Sequence, residues 1–272
     1  MKRFLLLVAS LFMSGLATTG TQMMAQQSQN ITLEDIAGGK YNPQYVYGVN
    51  PMKDGESYTQ LSSDNKQIIR RSFKTGKELE VLFDVAQARG DKKLEAIDGY
   101  IMSPDERRIL LRTQTKPIYR RSYTAVYYIY DVQNKKYEPL SDGGPQQMPI
   151  FSPDGNVIAF VRDNNLFLVK LLFGNAESQV TKDGKFNEVI NGLPDWVNEE
   201  EFTTARSFDF SSDSQMLAWV RYDESKVPIY SIQEFKGSYP TRQEYDEYPG
   251  AYNYKYPVAG AKNSDVSVMT FD

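Results

Sequence analysis

The chain of 272 residues contains no cysteine and no histidine. Without cysteine there is no disulfide and no thiolate to serve as a nucleophile or metal ligand. Without histidine, neither a Ser-His-Asp site nor a Cys-His site can be assembled, and histidine-ligated zinc is excluded. Histidine is the usual acid–base group near neutral pH. The sequence therefore predicts no catalytic residue and no metal site within this chain, and we expect it to need no cofactor.

A large excess of charge is also lacking, because 35 acidic residues face 31 basic ones and the net charge is −4. Such a mildly acidic surface argues against nucleic acid as a partner. The apolar run from Phe4 to about Ala17 is too short to span a bilayer comfortably. Because it follows Met1-Lys2-Arg3, residues 1–25 are predicted to be a signal peptide. We therefore expect the protein to be exported to the periplasm or secreted into the medium. The alternative is that the apolar segment is retained as an N-terminal membrane anchor.

Short apolar runs are abundant, and they are rich in the chain's 19 tyrosines and 14 phenylalanines. They recur between turn signals and have the composition of β-strands. Examples are residues 109–111, 125–130, 157–161 and 166–169. No segment shows a long apolar period of 3.6 residues. The sequence therefore predicts an all-β protein.

A turn sequence recurs along the chain. Its four copies are Ser63-Asp64-Asn65, Ser103-Pro104-Asp105, Ser152-Pro153-Asp154-Gly155 and Ser212-Asp213-Ser214. The aspartates are 41, 49 and 59 residues apart, which is the period of β-propeller blades in which each turn joins an inner strand to the next one out. Unrelated hairpins of a sandwich are the alternative. We expect a lead-in over residues 26–41 and about four propeller blades over residues 42–272.

The longest interval predicts an insertion, and it contains Asp195-Trp196-Val197-Asn198-Glu199-Glu200-Glu201-Phe202. We expect a helical turn or two from Asp195 to about Thr203, with Asp195 as the N-cap. Three consecutive carboxylates repel each other unless solvent or a cation neutralises them. The acidic run is therefore either a solvated helix start or a site that binds a cation.

Three stretches, taken in order, resemble dipeptidyl peptidase IV of the prolyl oligopeptidase group of serine peptidases. Residues 119–125 resemble its aromatic-Arg-x-Ser-x-Thr/Ala strand, residues 195–202 its Asp-Trp-Val-Tyr-Glu-Glu-Glu segment, and residues 256–263 its Tyr-Pro-Lys-Ala-Gly-x-x-Asn segment. Asn198 stands where the family has Tyr, and Val258 where it has Lys. The resemblance implies the N-terminal β-propeller of a bacterial dipeptidyl peptidase IV-like protein, ending before the catalytic domain. It also implies that residues 42–272 form a partial β-propeller, about four blades of an expected eight.

The same resemblance implies that Glu200 and Glu201 hold the N-terminal ammonium of a peptide substrate. Arg120 is implied to contact a substrate carbonyl and to brace the two acids. The chemistry is reasonable, since carboxylates around an ammonium make charge-assisted hydrogen bonds and a guanidinium offsets their repulsion. Glu199 lies one helical step, about 100°, from its neighbour, and we expect it to point away from this clamp.

The implied function is substrate recognition in a secreted serine dipeptidyl peptidase that releases X-Pro or X-Ala dipeptides. Expected partners are peptides with a free N-terminus, a missing C-terminal α/β-hydrolase domain and, at full length, a second copy in a homodimer. The chain has no Gly-x-Ser-x-Gly elbow, so we expect it to be inactive alone. A non-catalytic propeller that binds proteins or peptides is one alternative, and a closed four-bladed propeller is another.

Overall fold

The structure is a computed structural model, and it describes residues 30–43, 45–234 and 249–272. The predicted signal peptide, residues 1–25, and the first residues of the predicted lead-in lie outside the described residues. No helix in the described part of the chain is both long and apolar enough to cross a membrane. The chain divides into two units, Met1–Val46 and Tyr47–Asp272. In the first, helix α1 (Leu33–Ala37) is capped by Thr32.

The second unit is built from antiparallel sheets, which confirms the predicted all-β class. Three successive sheets each have four strands in chain order. The first contains β1 (Asn50–Pro51), β2 (Ser57–Leu61), β3 (Gln67–Ser72) and β4 (Glu78–Asp84). The second contains β5 (Gly99–Met102), β6 (Arg108–Pro117), β7 (Tyr123–Asp131) and β8 (Lys136–Pro139). The third contains β9 (Gln147–Phe151), β10 (Val157–Arg162), β11 (Asn165–Lys170) and β12 (Ala176–Gln179).

The fourth sheet departs from this regular order. Its strands are β13 (Val189–Asn191), β14 (Phe208–Phe210), β15 (Leu217–Asp223) and β18 (Asp265–Phe271). The helix α2 (Trp196–Phe202) lies between β13 and β14 along the chain. A separate hairpin of β16 (Ile229–Glu234) and β17 (Gly250–Lys255) lies between β15 and β18. Strand β15 pairs with β13, β14 and β18. The predicted helical insertion is therefore confirmed.

Three of the four predicted turns join the first strand of a sheet to the second. In each turn a serine hydroxyl donates to the aspartate two residues later, as Ser152 does to Asp154 at 2.5 Å. The same bond links Ser103 to Asp105 and Ser211 to Asp213. The aspartate also accepts a backbone N–H two residues further on. This local chemistry turns the chain into the second strand.

The turn at Asp64 occupies a different position in its sheet, although it too joins one strand to the next. It joins β2 to β3, the second and third strands of the first sheet. The turn between β1 and β2 lies at residues 53–56 instead, where the Asp54 carboxylate accepts the backbone N–H of Glu56. Ser62 donates to Asp64 as in the other turns. Because the local bonds are the same, the turn sequence alone does not tell which two strands it connects.

The core explains why the central strands have continuous apolar runs. Side chains alternate between the two faces of a strand, and here both faces are buried. In β6, Ile109 and Leu111 pack in a cluster shared with the first sheet, whereas Leu110 packs in a cluster shared with the third. In β10, Phe160 faces the second sheet and Val161 the fourth. Three clusters thus join successive sheets, and the chain forms a partial β-propeller.

Candidate functional site

The acidic helix lies in an insertion that interrupts the first strand of the fourth sheet. Strand β13 pairs with residues 221–223 of β15, and β14 pairs with residues 217–219. Only Val220 lies between these two stretches, and it closes the base of the insertion. Its carbonyl accepts from Gly192 N at 3.0 Å, and its N–H donates to the Ser207 carbonyl at 2.8 Å. The insertion therefore leaves the sheet as a closed loop.

Gly192 is required at the point where the chain leaves the sheet. Its φ is +80°, in the left-handed region that favours glycine. An added Cβ would lie 3.0 Å from Leu166 Cδ2 and 3.1 Å from Phe208 Cδ1, both in the cluster between the third and fourth sheets. The predicted loop signal at this position thus reflects both a backbone angle and a close approach.

Helix α2 is held at its N-terminus by the residue predicted to cap it. Asp195 Oδ1 accepts from Asn198 N at 2.8 Å, and its other oxygen accepts from Ser264 Oγ at 2.5 Å. The ring of Trp196 packs on that of Tyr256, with centroids 4.5 Å apart. The segment between β17 and β18, which contains Tyr256 and Ser264, therefore anchors the start of α2.

The extended hairpin of β6 and β7 carries the predicted arginine. Ile118 N donates to the Ser122 carbonyl at 2.9 Å, and this bond closes a tip that contains Arg120 and Arg121. Long strands explain the reach of the hairpin, because β6 has 10 residues and β7 has 9. The tip of a hairpin in the second sheet thereby meets a helix inserted in the fourth.

The structure brings Arg120 and Glu200 together. Arg120 Nε lies 3.3 Å from Glu200 Oε2, and Arg121 Nη1 lies 3.9 Å from the same oxygen. The Arg120 side chain is 72% exposed and that of Glu200 is 17% exposed, so the guanidinium faces solvent while the carboxylate is partly shielded. Glu201 is exposed, and it makes no ion pair within the described ranges. It therefore lies next to the pair without joining it.

Glu199 has a role that the sequence interpretation missed. Its side chain is buried, and its Oε1 accepts from the backbone N–H of Arg121 at 2.8 Å and of Ser122 at 2.9 Å. Its backbone carbonyl also accepts from Arg121 Nη1 at 3.4 Å. Glu200 contacts the same hairpin tip, through the side chains of Arg120 and Arg121. One signal was available: Trp196 and Glu199 are three residues apart and so share a face of a helix.

A cavity of about 470 Å³ lies beside the helix, lined in part by Tyr119, Trp196 and Glu224. Glu224 is only 5% exposed. The pKa of Glu224 is raised to about 7, mainly by burial and also by the nearby Asp195 charge, while the Lys255 charge opposes both. Burial likewise raises the pKa of Tyr119. No sequence signal predicted this buried acid, because Glu224 is distant from the acidic run along the chain.

These groups are suited to binding the end of a peptide. An ammonium has three donors and matches neighbouring carboxylates, while a guanidinium has further donors for a carbonyl oxygen. The described residues include no group of three or more acidic, histidine or cysteine side chains arranged to hold a metal ion. A carboxylate and a guanidinium held side by side can bind complementary groups, a positive charge and a carbonyl oxygen respectively.

The model of the dipeptidyl peptidase IV N-terminal region matches residues 103–272. The chain is 30% identical to probable dipeptidyl-aminopeptidase B of Aspergillus fumigatus, over 95% of this chain and 30% of that protein. It is 33% identical to the mouse prolyl endopeptidase FAP, over 89% of this chain and 30% of that protein. The crystal structure of Porphyromonas gingivalis dipeptidyl peptidase 4 superposes with a TM-score of 0.80 at 40% identity, over 90% of this chain and 34% of that one.

The chain thus spans about a third or less of the length of these relatives. A dipeptidyl aminopeptidase IV from Bacteroides ovatus, described as putative, matches at 19% identity with a TM-score of 0.54, and this likeness concerns the fold alone. The matched family region contains the Arg120 hairpin, the acidic helix and the segment that anchors it.

Proposed function

This chain belongs to the family of dipeptidyl peptidase IV N-terminal regions, and we propose that it recognises the free N-terminus of peptides for a secreted serine dipeptidyl peptidase. In this proposal Glu200 and Glu201 bind the N-terminal ammonium of the substrate. Arg120 binds a backbone carbonyl of the substrate close to that ammonium. The products are X-Pro or X-Ala dipeptides.

The observation that carries the proposal is the meeting of Arg120 and Glu200 at 3.3 Å. The two residues are far apart in sequence and come from different sheets. An exposed ion pair of this kind contributes only about 0–1 kcal/mol to stability, so stability is a weak reason for building a helical insertion and a long hairpin to form it. Recognition of a ligand is a better reason, since charged groups at a partly shielded site bind complementary groups through charge-assisted hydrogen bonds.

Binding an ammonium also gives a reference point for cleavage. A substrate whose amino end is held presents the same peptide bond to a catalytic group at a fixed distance, which is a positioning effect. The chain has no histidine and so supplies no Ser-His-Asp site of its own. We therefore assign the chemistry to an α/β-hydrolase domain as partner, and we include export and homodimer formation at full length in the proposal.

The proposal is tested by titrating the chain with alanyl-proline and, separately, with N-acetyl-alanyl-proline. NMR reports on the Arg120 Nε–H and on the indole N–H of Trp196, one of only two tryptophans. We expect the free dipeptide to shift both signals and the acetylated one to shift neither, because acetylation removes the ammonium.

Matched variants identify the carboxylates that bind the ammonium. Glu200→Gln and Glu201→Gln should each weaken the response about tenfold or more, since a charge-assisted hydrogen bond contributes on the order of 1.5–3 kcal/mol. Glu188→Gln, an exposed acid paired with Lys185, should leave it unchanged. An equal response to both dipeptides, or a response that survives both clamp substitutions, would contradict the proposal.

The chain alone should not hydrolyse alanyl-proline p-nitroanilide, whereas a protein that joins it to the α/β-hydrolase domain should. In that longer protein, Glu200→Gln and Glu201→Gln should each lower kcat/KM by roughly one to two orders of magnitude. Ligand binding by the chain without hydrolysis by the longer protein would instead favour a non-catalytic peptide-binding module.

A further inference from the structure

We propose that Glu199 is the positioning residue of this site: it fixes the tip of the β6–β7 hairpin against α2, and so holds Arg120 beside Glu200. The inference rests on the proposed function for its consequence, but its structural part is independent. Three consecutive glutamates would then have two different tasks. Glu200 and Glu201 face the ligand, and Glu199 builds the site.

The carboxylate and the backbone carbonyl of Glu199 both accept hydrogen bonds from the tip of the hairpin. One carboxylate oxygen accepts from two successive backbone N–H groups at the hairpin tip, those of Arg121 and Ser122. The Glu199 carbonyl accepts from the Arg121 side chain as well. The tip is thus bound to both the side chain and the main chain of one helical residue, 78 positions away along the sequence.

Burial makes these bonds important. Glu199 is 1% exposed and Ser122 is 8% exposed, so water does not easily replace a lost partner. Removal of the Glu199 carboxylate leaves two N–H groups without this acceptor, a buried one at Ser122 and a partly buried one at Arg121, which is unfavourable. We expect the hairpin tip to move so that these groups regain hydrogen bonds with solvent.

The position of Arg120 follows from the position of the tip. Arg120 directly precedes the two residues whose N–H groups Glu199 holds, and its guanidinium is 72% exposed with Glu200 as its ion-pair partner. A long, exposed side chain has many rotamers, and fixing its backbone reduces the conformational entropy that is lost on binding. Displacement of the tip by even 1 Å separates the two halves of the site.

The test measures the hairpin and the ligand site separately, on the full chain. Variants are Glu199→Ala, Glu199→Gln and Glu199→Asp, with Glu188→Ala as the matched control at an exposed acid. Amide hydrogen exchange is followed at Arg121 and Ser122, and alanyl-proline affinity is followed through the Arg120 Nε–H signal. Far-UV circular dichroism checks that each variant is folded.

We expect Glu199→Ala to speed exchange at both amides at least tenfold and to weaken alanyl-proline binding about tenfold. Glu199→Gln should restore both readouts in large part, because a carboxamide oxygen can accept the same two bonds. Glu199→Asp keeps the charge but withdraws the oxygen by one methylene, so it should resemble Glu199→Ala. Rescue by glutamine but not by aspartate distinguishes positioning from a need for charge, and it remains informative even when the alanine variant fails to fold.

Two results would overturn the inference. One is unchanged exchange at Arg121 and Ser122 in folded Glu199→Ala and Glu199→Asp, which would mean that the carboxylate does not hold the tip. The other is faster exchange with unchanged alanyl-proline affinity, which would mean that the tip position does not matter for binding. Failure of the wild type to distinguish alanyl-proline from its acetylated form contradicts the proposed function instead, and the exchange rates still decide whether Glu199 fixes the hairpin.

Discussion

The third and fourth sheets use the same strand chemistry in different ways. In the third sheet, β9 to β12 run in order, and the central strand β10 is buried on both faces. In the fourth sheet, an insertion splits the first strand, and the last strand is exposed along its whole length, with Val268 73% exposed. The third sheet is therefore continuous and packed on both sides, whereas the fourth is interrupted and packed mainly on one side.

The difference indicates how this fold separates stability from recognition. Continuous buried strands contribute apolar burial, at roughly 25 cal/mol per Å², and they form the rigid support. The interruption between β13 and β14 carries a short helix outward to meet a hairpin from the second sheet. Substitutions in the two sheets should therefore differ in kind.

The largest effect is expected in the core of the third sheet. Phe160 is fully buried and stacks on Phe167, with centroids 5.5 Å apart. Phe160→Ala should lower the free energy of unfolding by about 3–5 kcal/mol, measured by urea denaturation. Val268→Ala in the last strand should change it by less than about 0.5 kcal/mol. Comparable losses for both would mean that the last strand is as well packed as the core of the third sheet.

A pH-dependent effect is expected at Glu224, behind the interrupted strand. Its pKa is raised to about 7 in the folded chain but is near 4.3 when unfolded, so the folded state binds the proton more tightly. Stability should fall as pH rises from about 4.5 to 7 and then level off, by on the order of 3–4 kcal/mol in total.

Glu224→Gln should remove this dependence, and the absence of histidine leaves few other groups that titrate in that range. The measurement is the urea midpoint of the wild type and the variant at pH 5, 6, 7 and 8. Parallel curves for the two proteins would contradict the assignment. Asp195→Asn should shift the transition to lower pH, because the Asp195 charge is the second cause of the raised pKa.

Two glycines, both in the left-handed region of φ, allow a comparison of the third and fourth sheets. Gly192 in the fourth sheet has φ +80° and close neighbours, whereas Gly174 after β11 has φ +64° and nothing within 4 Å of an added Cβ. Gly174→Ala should cost about 1 kcal/mol, from backbone strain alone. Gly192→Ala should cost roughly 1–3 kcal/mol more, since Leu166 and Phe208 must also shift. An equal loss in the free energy of unfolding for both variants, measured by urea denaturation, would mean that Leu166 and Phe208 shift at no cost.

The smallest effect is expected at the cap of α2. Asp195→Ala removes the bonds to Asn198 and Ser264 and should cost about 1 kcal/mol. The substitution should loosen α2 more than it lowers the stability of the whole protein. Amide exchange should speed up within residues 196–202 while the core of the third sheet stays protected. Uniform acceleration in both sheets would show that the helix is part of the same cooperative unit as the core.

The strands, the turns and the acidic helix were largely predictable because their causes are local. Continuous apolar runs mark β10 and β11, a Ser–Asp hydrogen bond marks most of the turns, and Asp195 caps the helix that it precedes. Local chemistry also explains why the Asp64 turn joins a different pair of strands, since an identical turn can join any two neighbouring strands. The resemblance to a family, rather than periodicity, predicted Arg120 as the partner of Glu200.

The sequence by itself determined the all-β class, the helical insertion and the absence of histidine or cysteine chemistry, because these depend on composition and on neighbours in the chain. Only the tertiary structure decided what each glutamate of the acidic run does. Glu199, Glu200 and Glu201 are chemically identical, but the hairpin tip, the Arg120 side chain and solvent meet them in turn. Burial and hydrogen-bond partners are set by segments distant along the chain, and so the same residue type acquires different tasks at adjacent positions.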